Sequence, residues 1–325
     1  MPIQKITAIN GVAKQASKGT IAANPSFAHG LTGGSPISIE PSQSMLEVTS
    51  GKRVSYNVYR DSSVNGTGVE TMSYLKSLGL YLLGALGTDT VTGTGPYLHT
   101  YSTGDLPYLS FFTKGIDTTI QGLRDCKIDE LSLKWDGSKP VELSVKALGT
   151  VFSYPSTFTA TTDETGSESF LVPLGGSFQI DVLGSTLVSA RVVGGELTIK
   201  NNVSAIDPSS AVEADDVFEG IQEHSLKLTI VPDSLAEFRK VITGGAAGTS
   251  VATVAPTGSV SLQFKENNGA GTLTVTGSKV AFMTSFPDAD PKGGAVEIEL
   301  AGEAVMPAGG TAPLVYALSN KQASY

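Results

Sequence analysis

The stretch Cys126–Val151, CKIDELSLKWDGSKPVELSVKALGTV, decides the fold. In its second arm Val141, Leu143, Val145 and Ala147 alternate with Glu142, Ser144 and Lys146. Successive strand side chains point to opposite faces, so this alternation belongs to a half-buried antiparallel strand. The first arm holds Ile128 in one parity and Leu131, Leu133 and Trp135 in the other. A β-bulge near Asp129–Glu130 would supply the one-residue slip between them. Between the arms, Asp136-Gly137-Ser138-Lys139-Pro140 has the length and composition of a hairpin turn. The stretch predicts a hairpin with one apolar and one polar face.

A similar unit returns at Lys279–Leu300, where Pro291-Lys292-Gly293-Gly294 precedes Ala295-Val296-Glu297-Ile298-Glu299-Leu300. Val296, Ile298 and Leu300 face one way, and Glu297, Glu299 and Glu303 the other. Each hairpin closes a series. The first series has strands over Ile37–Glu47 and Lys52–Asp61 and a loop over Ser62–Gly68. A helix follows, whose apolar stripe is Met72, Leu75, Leu78, Leu82 and Leu86, with Gly87 as its stop. We expect it to lie across a sheet. Short strands at Tyr97–Ser102 and Tyr108–Thr113 complete the series.

The second series has strands at Phe178–Val182 and Ser185–Lys200, an acidic loop over Asn201–Glu219 and a strand at Leu226–Ile230. A helix over Ser234–Ile242 follows, with Ser234 and Glu237 spaced as a capping box. Strands at Gly258–Phe264 and Leu273–Val275 lead into the last hairpin. Strand, loop, helix, strands and hairpin thus occur twice. The expected organisation is an arm at 1–35, a β domain at 36–152, a linker at 153–169, a second β domain at 170–305 and a tail at 306–325.

Composition agrees with a mainly β chain. Gly is abundant, at 37 of 325 residues, and Thr, Ser and Val are frequent. Twenty-two basic residues against 31 acidic ones give a formal charge of −9, which disfavours a nucleic-acid grip. The lone Cys126 excludes an internal disulfide framework and reads as a small buried hydrophobe. Met1-Pro2-Ile3-Gln4-Lys5 leads into no apolar signal core. The longest apolar run, Leu78–Leu86, is far short of the ~20 residues of a membrane span, so no membrane partner is expected.

No nucleophile elbow, phosphate loop, zinc helix or dinucleotide fingerprint occurs in the sequence. His29, His99 and His224 are isolated from one another, and His99 reads as a packed strand residue. The carboxylates of 207–219 lack calcium-loop spacing and read as a solvated acidic loop. Trp135 reads as a hairpin anchor. We expect no enzyme, no cofactor and no metal.

Upstream of the first hairpin the chain reads Leu98-His99-Thr100-Tyr101, then Asp105-Leu106-Pro107-Tyr108-Leu109-Ser110, then Gly122-Leu123-Arg124-Asp125-Cys126. These segments, in this order, and the opening Gly11-Val12-Ala13-Lys14-Gln15-Ala16-Ser17-Lys18-Gly19-Thr20, resemble the tail tube (major tail) proteins of long-tailed bacteriophages. The resemblance covers most of residues 8–305. It implies two tandem tail-tube-type β-sandwich or half-barrel domains, each with a short flanking helix. It implies a virion protein, made in the host bacterial cytoplasm, whose rings stack into a tube that conducts DNA from capsid to host.

Implied partners are other copies of the chain, the tape measure and terminator proteins of the tail, and passing DNA without specific binding. Six-fold tube rings would need three chains if each carries two domains, and six if only one half is a tube domain. Glu142, Lys146, Glu297, Glu299 and Glu303 become the expected lumen-facing residues. Ile3, Ile6, Ile9, Asn65 and Gly66 become the expected contacts between rings, with the C-terminus a further candidate. A surface adhesin or carbohydrate-binding β-sandwich is the alternative. One Trp and scattered Tyr give it little support.

Overall fold

A computed structural model describes residues 8–34, 37–39, 43–46, 57–60, 65–115, 119–182, 185–186, 191–206, 211–231, 235–245, 248–284, 296–310 and 312–325. The chain is mainly β, with two helices among the described residues. Strands β1 (Ile9–Lys14), β2 (Phe27–Gly30) and β3 (Ser38–Ile39) come first. A ribbon of β4 (Gln43–Leu46) and β5 (Asn57–Arg60) separates them from β6 (Asn65–Met72) and helix α1 (Leu75–Leu86). Then come β7 (Gly87–Thr92), β8 (Tyr97–Thr103), β9 (Leu109–Lys114), β10 (Ile120–Asp136), β11 (Glu142–Gly149), β12 (Val151–Ser153) and β13 (Thr162–Asp163).

The second half opens with β14 (Leu171–Val182), β15 (Ser185–Thr186) and β16 (Arg191–Lys200). A second ribbon, β17 (Ser204–Ile206) with β18 (Asp216–Phe218), precedes β19 (Glu223–Val231) and α2 (Leu235–Thr243). It closes with β20 (Thr257–Glu266), β21 (Thr272–Thr284), β22 (Ile298–Ala304) and β23 (Val315–Asn320).

The deciding hairpin is present. β10 and β11 pair antiparallel, Leu133 opposite Leu143 and Leu131 opposite Val145. The register slips between Ile128 and Glu130, where the parity of the sequence breaks. β21 and β22 likewise pair antiparallel, Phe282 opposite Gly302. Residues 285–295, with the turn expected at Pro291–Gly294, lie outside the described residues. So do Ser234 and the capping box it would form.

The ladders follow one another in the order β3–β6–β11–β10–β16–β19–β22–β21–β20–β14–β15. The circuit is completed by single backbone bonds and not by a ladder. Val141 donates to the Leu171 carbonyl, and Leu171 donates to that of Ser73. Two long strands serve two neighbourhoods each. The first part of β10 pairs with β9, which carries β1 and β2, while its last part pairs with β16. The first part of β21 pairs with β23, which carries β8 and β7.

Both halves use one local plan. In each, the strand before the helix pairs with the second strand of the hairpin: β6 with β11, and β19 with β22. In each, a short ribbon is inserted between two strands that neighbour one another in the sheet. Yet one continuous hydrophobic core runs through both halves, from Leu78 and Leu131 to Leu228 and Phe264.

Three expectations need correcting. First, α1 does not lie across a sheet on one stripe; every residue but Lys76 is buried. Strands β10, β8, β7 and β23 enclose it. Close approach is possible because Gly79 and Gly84 lack side chains. A Cβ on Gly79 would stand 2.1 Å from the Tyr325 ring.

Second, the stretch expected as a linker is packed. Thr162 and Asp163 pair in parallel with Phe27 and Ala28. Glu164, 2% exposed, accepts hydrogen bonds from the backbone N–H of Lys76 (3.2 Å) and Ser77 (3.0 Å), which α1's own first turn leaves without partners. Third, the stretch expected as a tail carries β23, whose ladders to β21 and β8 tie the halves together. Tyr325 docks under α1, T-shaped on His99 at 4.9 Å.

Candidate functional site

The polar face of the long sheet is the most regular polar feature of the molecule. Outward residues of β11, β10, β16 and β19 stand side by side because the ladder registers carry one parity from strand to strand. They form three rows. In the first, Glu142, Lys134, Glu196 and Lys227 sit opposite one another in turn, so that the charge alternates. The second is neutral: Ser144, Ser132, Thr198 and Ser225. Glu70 of β6 and Glu303 of β22 close its two ends. In the third, Lys146, Glu130, Lys200 and Glu223 alternate again.

Several of these neighbours are joined. Lys146 Nζ meets Glu130 Oε1 at 2.9 Å, and Lys227 Nζ meets Glu299 Oε2 at 2.9 Å. Ser132 Oγ donates to Glu196 Oε1 at 2.7 Å. The hydrogen bond to Glu130 raises the pKa of Lys146, and that to Glu299 raises the pKa of Lys227. The two ion pairs are exposed or half-buried, so each contributes little to folding stability. A shallow depression of about 350 Å³ lies over Glu70, Ser132, Lys134, Glu142 and Glu196.

The structure brings the expected lumen residues to this one sheet. Glu142 and Lys146 lie on β11, and Glu299 and Glu303 on β22, all exposed and of outward parity. Glu297, also exposed, immediately precedes β22. Sequence reading missed Glu130, Lys134, Glu196, Lys200 and Lys227. Their alternation is visible strand by strand. Their assembly into rows depends on the β10–β16 and β16–β19 registers, which join residues dozens of positions apart.

The residues expected between rings fare differently. Ile3 and Ile6 lie outside the described residues. Ile9 begins β1, paired with Gly30 and Lys114 of its own chain. Asn65 and Gly66 are not in a loop: β6 starts at Asn65. Asn65 is buried, and its side-chain amide donates to the Thr150 carbonyl at 3.1 Å, leaving it almost no surface to offer a neighbour.

Other singled-out residues are core. Cys126 is fully buried, and burial pushes its thiol pKa up. His99 is buried between Asp89, at 2.9 Å, and the Gln322 carbonyl, at 2.8 Å. Trp135 packs T-shaped on Phe264 at 4.9 Å and stacks on Phe178 at 6.0 Å. The acidic loop is not simply solvated. Asp216 pairs with Lys18 at 2.6 Å and accepts the Tyr108 hydroxyl, and Glu219 pairs with Lys127. No group of metal-ligating residues occurs among the described residues, and no helix there is long and apolar enough to cross a membrane.

Fold and face together define a β scaffold whose broad polar wall is continuous across two similar halves. The family model for phage tail tube proteins matches residues 10–304, and the chain belongs to that family. It is thus a structural protein of the viral tail. No curated protein matches it.

Proposed function

We propose that this subunit assembles into three-chain rings that stack into a DNA-conducting tube, with the polar sheet face as the wall of the lumen. The observation that carries this reading is the β10–β16 junction. On β10 the ladder to β9 stops at Cys126, and β16 of the second half takes over from Glu130. On β21 the ladder to β20 stops at Ala281, while that to β22 runs on to Thr284. β3 stands in the first half where β16 stands in the second, against the strand that precedes the helix.

A neighbouring chain's β3 would therefore join β21 as β16 joins β10. Repeating this around a ring leaves no edge strand open, which is the general remedy for edge-to-edge aggregation. Residues 36–152 and 170–305 are then two tube units. Three chains supply six units, with in-chain and between-chain junctions alternating. A wall richer in carboxylate than in amine repels phosphate and lets DNA slide. At the tube's ends the same edges would meet other tail proteins.

Cryo-EM of tubes assembled from the purified chain tests this. The expected reconstruction has three chains per ring with the rows of Glu142 and Glu196 lining the channel. Six identical chains per ring, or that face turned outward, sinks the reading.

A further inference from the structure

Lysines are an odd choice for a wall meant to pass DNA, since each is a phosphate ligand. Four stand at the centre of the polar face, and the registers set each beside carboxylates. Lys134 is opposite Glu142 on one side and Glu196 on the other. Lys200 is opposite Glu130 and Glu223. Lys146 is opposite Glu130 and bonded to it; Lys227 is opposite Glu196 and bonded to Glu299. Glu70, Glu297 and Glu303 have no lysine set opposite them by a described ladder.

We propose that these cross-strand carboxylates occupy the four lysines, so that the face offers double-stranded DNA no unmatched lysine. The juxtaposition is a property of the single chain; its use in a lumen rests on the function proposed above. It follows that position matters more than net charge. Removing a carboxylate that faces a lysine exposes a phosphate ligand. Removing one that faces none only lowers repulsion.

Two triple variants of the full chain separate these effects at equal charge change. One is Glu130→Gln, Glu196→Gln and Glu299→Gln. The other is Glu70→Gln, Glu297→Gln and Glu303→Gln. The measurement is fluorescence anisotropy of a short DNA duplex with unassembled subunit at low salt, after melting curves show that both fold. Should the first triple fail to fold, the single Glu130→Gln variant, which leaves Lys146 without a facing carboxylate, replaces it against single Glu70→Gln.

The first variant is expected to bind at least about tenfold tighter than the second. Its log K should fall with log salt at a slope of about −2, since only Lys146 and Lys227 are then left without a facing carboxylate, at about 0.9 each. Equal gains in the two variants, or no binding by either, would overturn the proposal. Virions carrying the first variant then test the setting. Tighter binding in solution with unchanged ejection rate leaves the pairing intact and removes the face from the lumen.

Discussion

Glu164 offers the sharpest test of how the fold is held. It comes from the stretch between the halves, lies buried, and accepts the N–H groups of Lys76 and Ser77 at the start of α1. Replacing it with Ala leaves both N–H groups, that of Ser77 buried and that of Lys76 half-buried, without an acceptor. Each such loss costs about 1–3 kcal/mol. Relief of a buried carboxylate returns part of this, so the net for Glu164→Ala is about 2–4 kcal/mol. Glu164→Gln keeps one acceptor oxygen in nearly the same volume and should cost about half as much. For a chain of this size each kcal/mol moves the melting point by about 2 °C. The expected drops are about 4–8 °C for Ala and 2–4 °C for Gln, read by calorimetry on unassembled subunit at pH 7.

The pH dependence gives a second, independent sign. Burial raises the Glu164 pKa above the ordinary value, against the hydrogen bonds from Ser77 and Lys76 that lower it. A carboxyl whose folded pKa is raised binds more protons in the folded state, so its contribution to stability is fully present below its unfolded pKa. That contribution is lost as pH rises through the folded pKa. The advantage of wild type over Glu164→Gln should therefore widen between pH 7 and pH 4. If the gap narrows on acidification, the hydrogen bonds outweigh burial. If Gln is as damaging as Ala, the retained acceptor is irrelevant. The first result refutes the raised pKa, and the second refutes the acceptor role assigned to Glu164 at the start of α1.

Three further outcomes are expected. Deleting Tyr325 should lower the melting point, and Gly79→Ala should be harmful in the full chain. In the Tyr325-deleted chain, where the clash at 2.1 Å is gone, Gly79→Ala should instead be neutral or stabilising by up to about 1 kcal/mol, as a double-mutant cycle of melting points will show. Trp135→Ala removes the ring packed against both Phe178 and Phe264 and should cost about 3–5 kcal/mol by denaturant titration. Cys126 should be inert to a thiol reagent in the native subunit and react in full in denaturant, since it is fully buried and its thiol is held protonated.

What is legible in the sequence is local. The alternation of Val141–Ala147 marks a strand, and the broken parity at Ile128–Leu131 marks a bulge where the register slips. The stripe from Leu75 to Leu86 reads as a helix, though Met72, expected to open it, is the last residue of β6; Gly87, at φ 95°, reads as its end. The outward parity of Glu142 and Glu299 follows from the same rule. What escapes is set by distant partners. Nothing in residues 153–169 announces that Glu164 will serve a helix nearly ninety residues upstream. Nothing in Val315–Asn320 announces a ladder to Tyr97–Tyr101. The helix stripe reads as amphipathic because its second and third enclosing walls come from β8 and β23. The charged rows escape for the same reason, since a row exists only once several strands are in register.

The in-chain junction has an energetic consequence for assembly. Joining two separate subunits carries an entropic cost of about 4–15 kcal/mol before any contact is counted. The β10–β16 ladder, seven residue pairs from Glu130–Lys200 to Asp136–Gly194, forms within one chain and bears none of it. On the three-chain reading, half the junctions of each ring are made during folding. Closure then needs three chains to meet instead of six. The other junctions, made only on assembly, could then be weak singly, because in the proposed tube each ring would also rest on its stacked neighbours. That division explains why sequence identity between the halves can be low. On that reading β3 would meet a partner in a neighbouring chain and β16 one at home, and only β16 must pack with the shared core of Leu131, Leu133, Leu197 and Ile199.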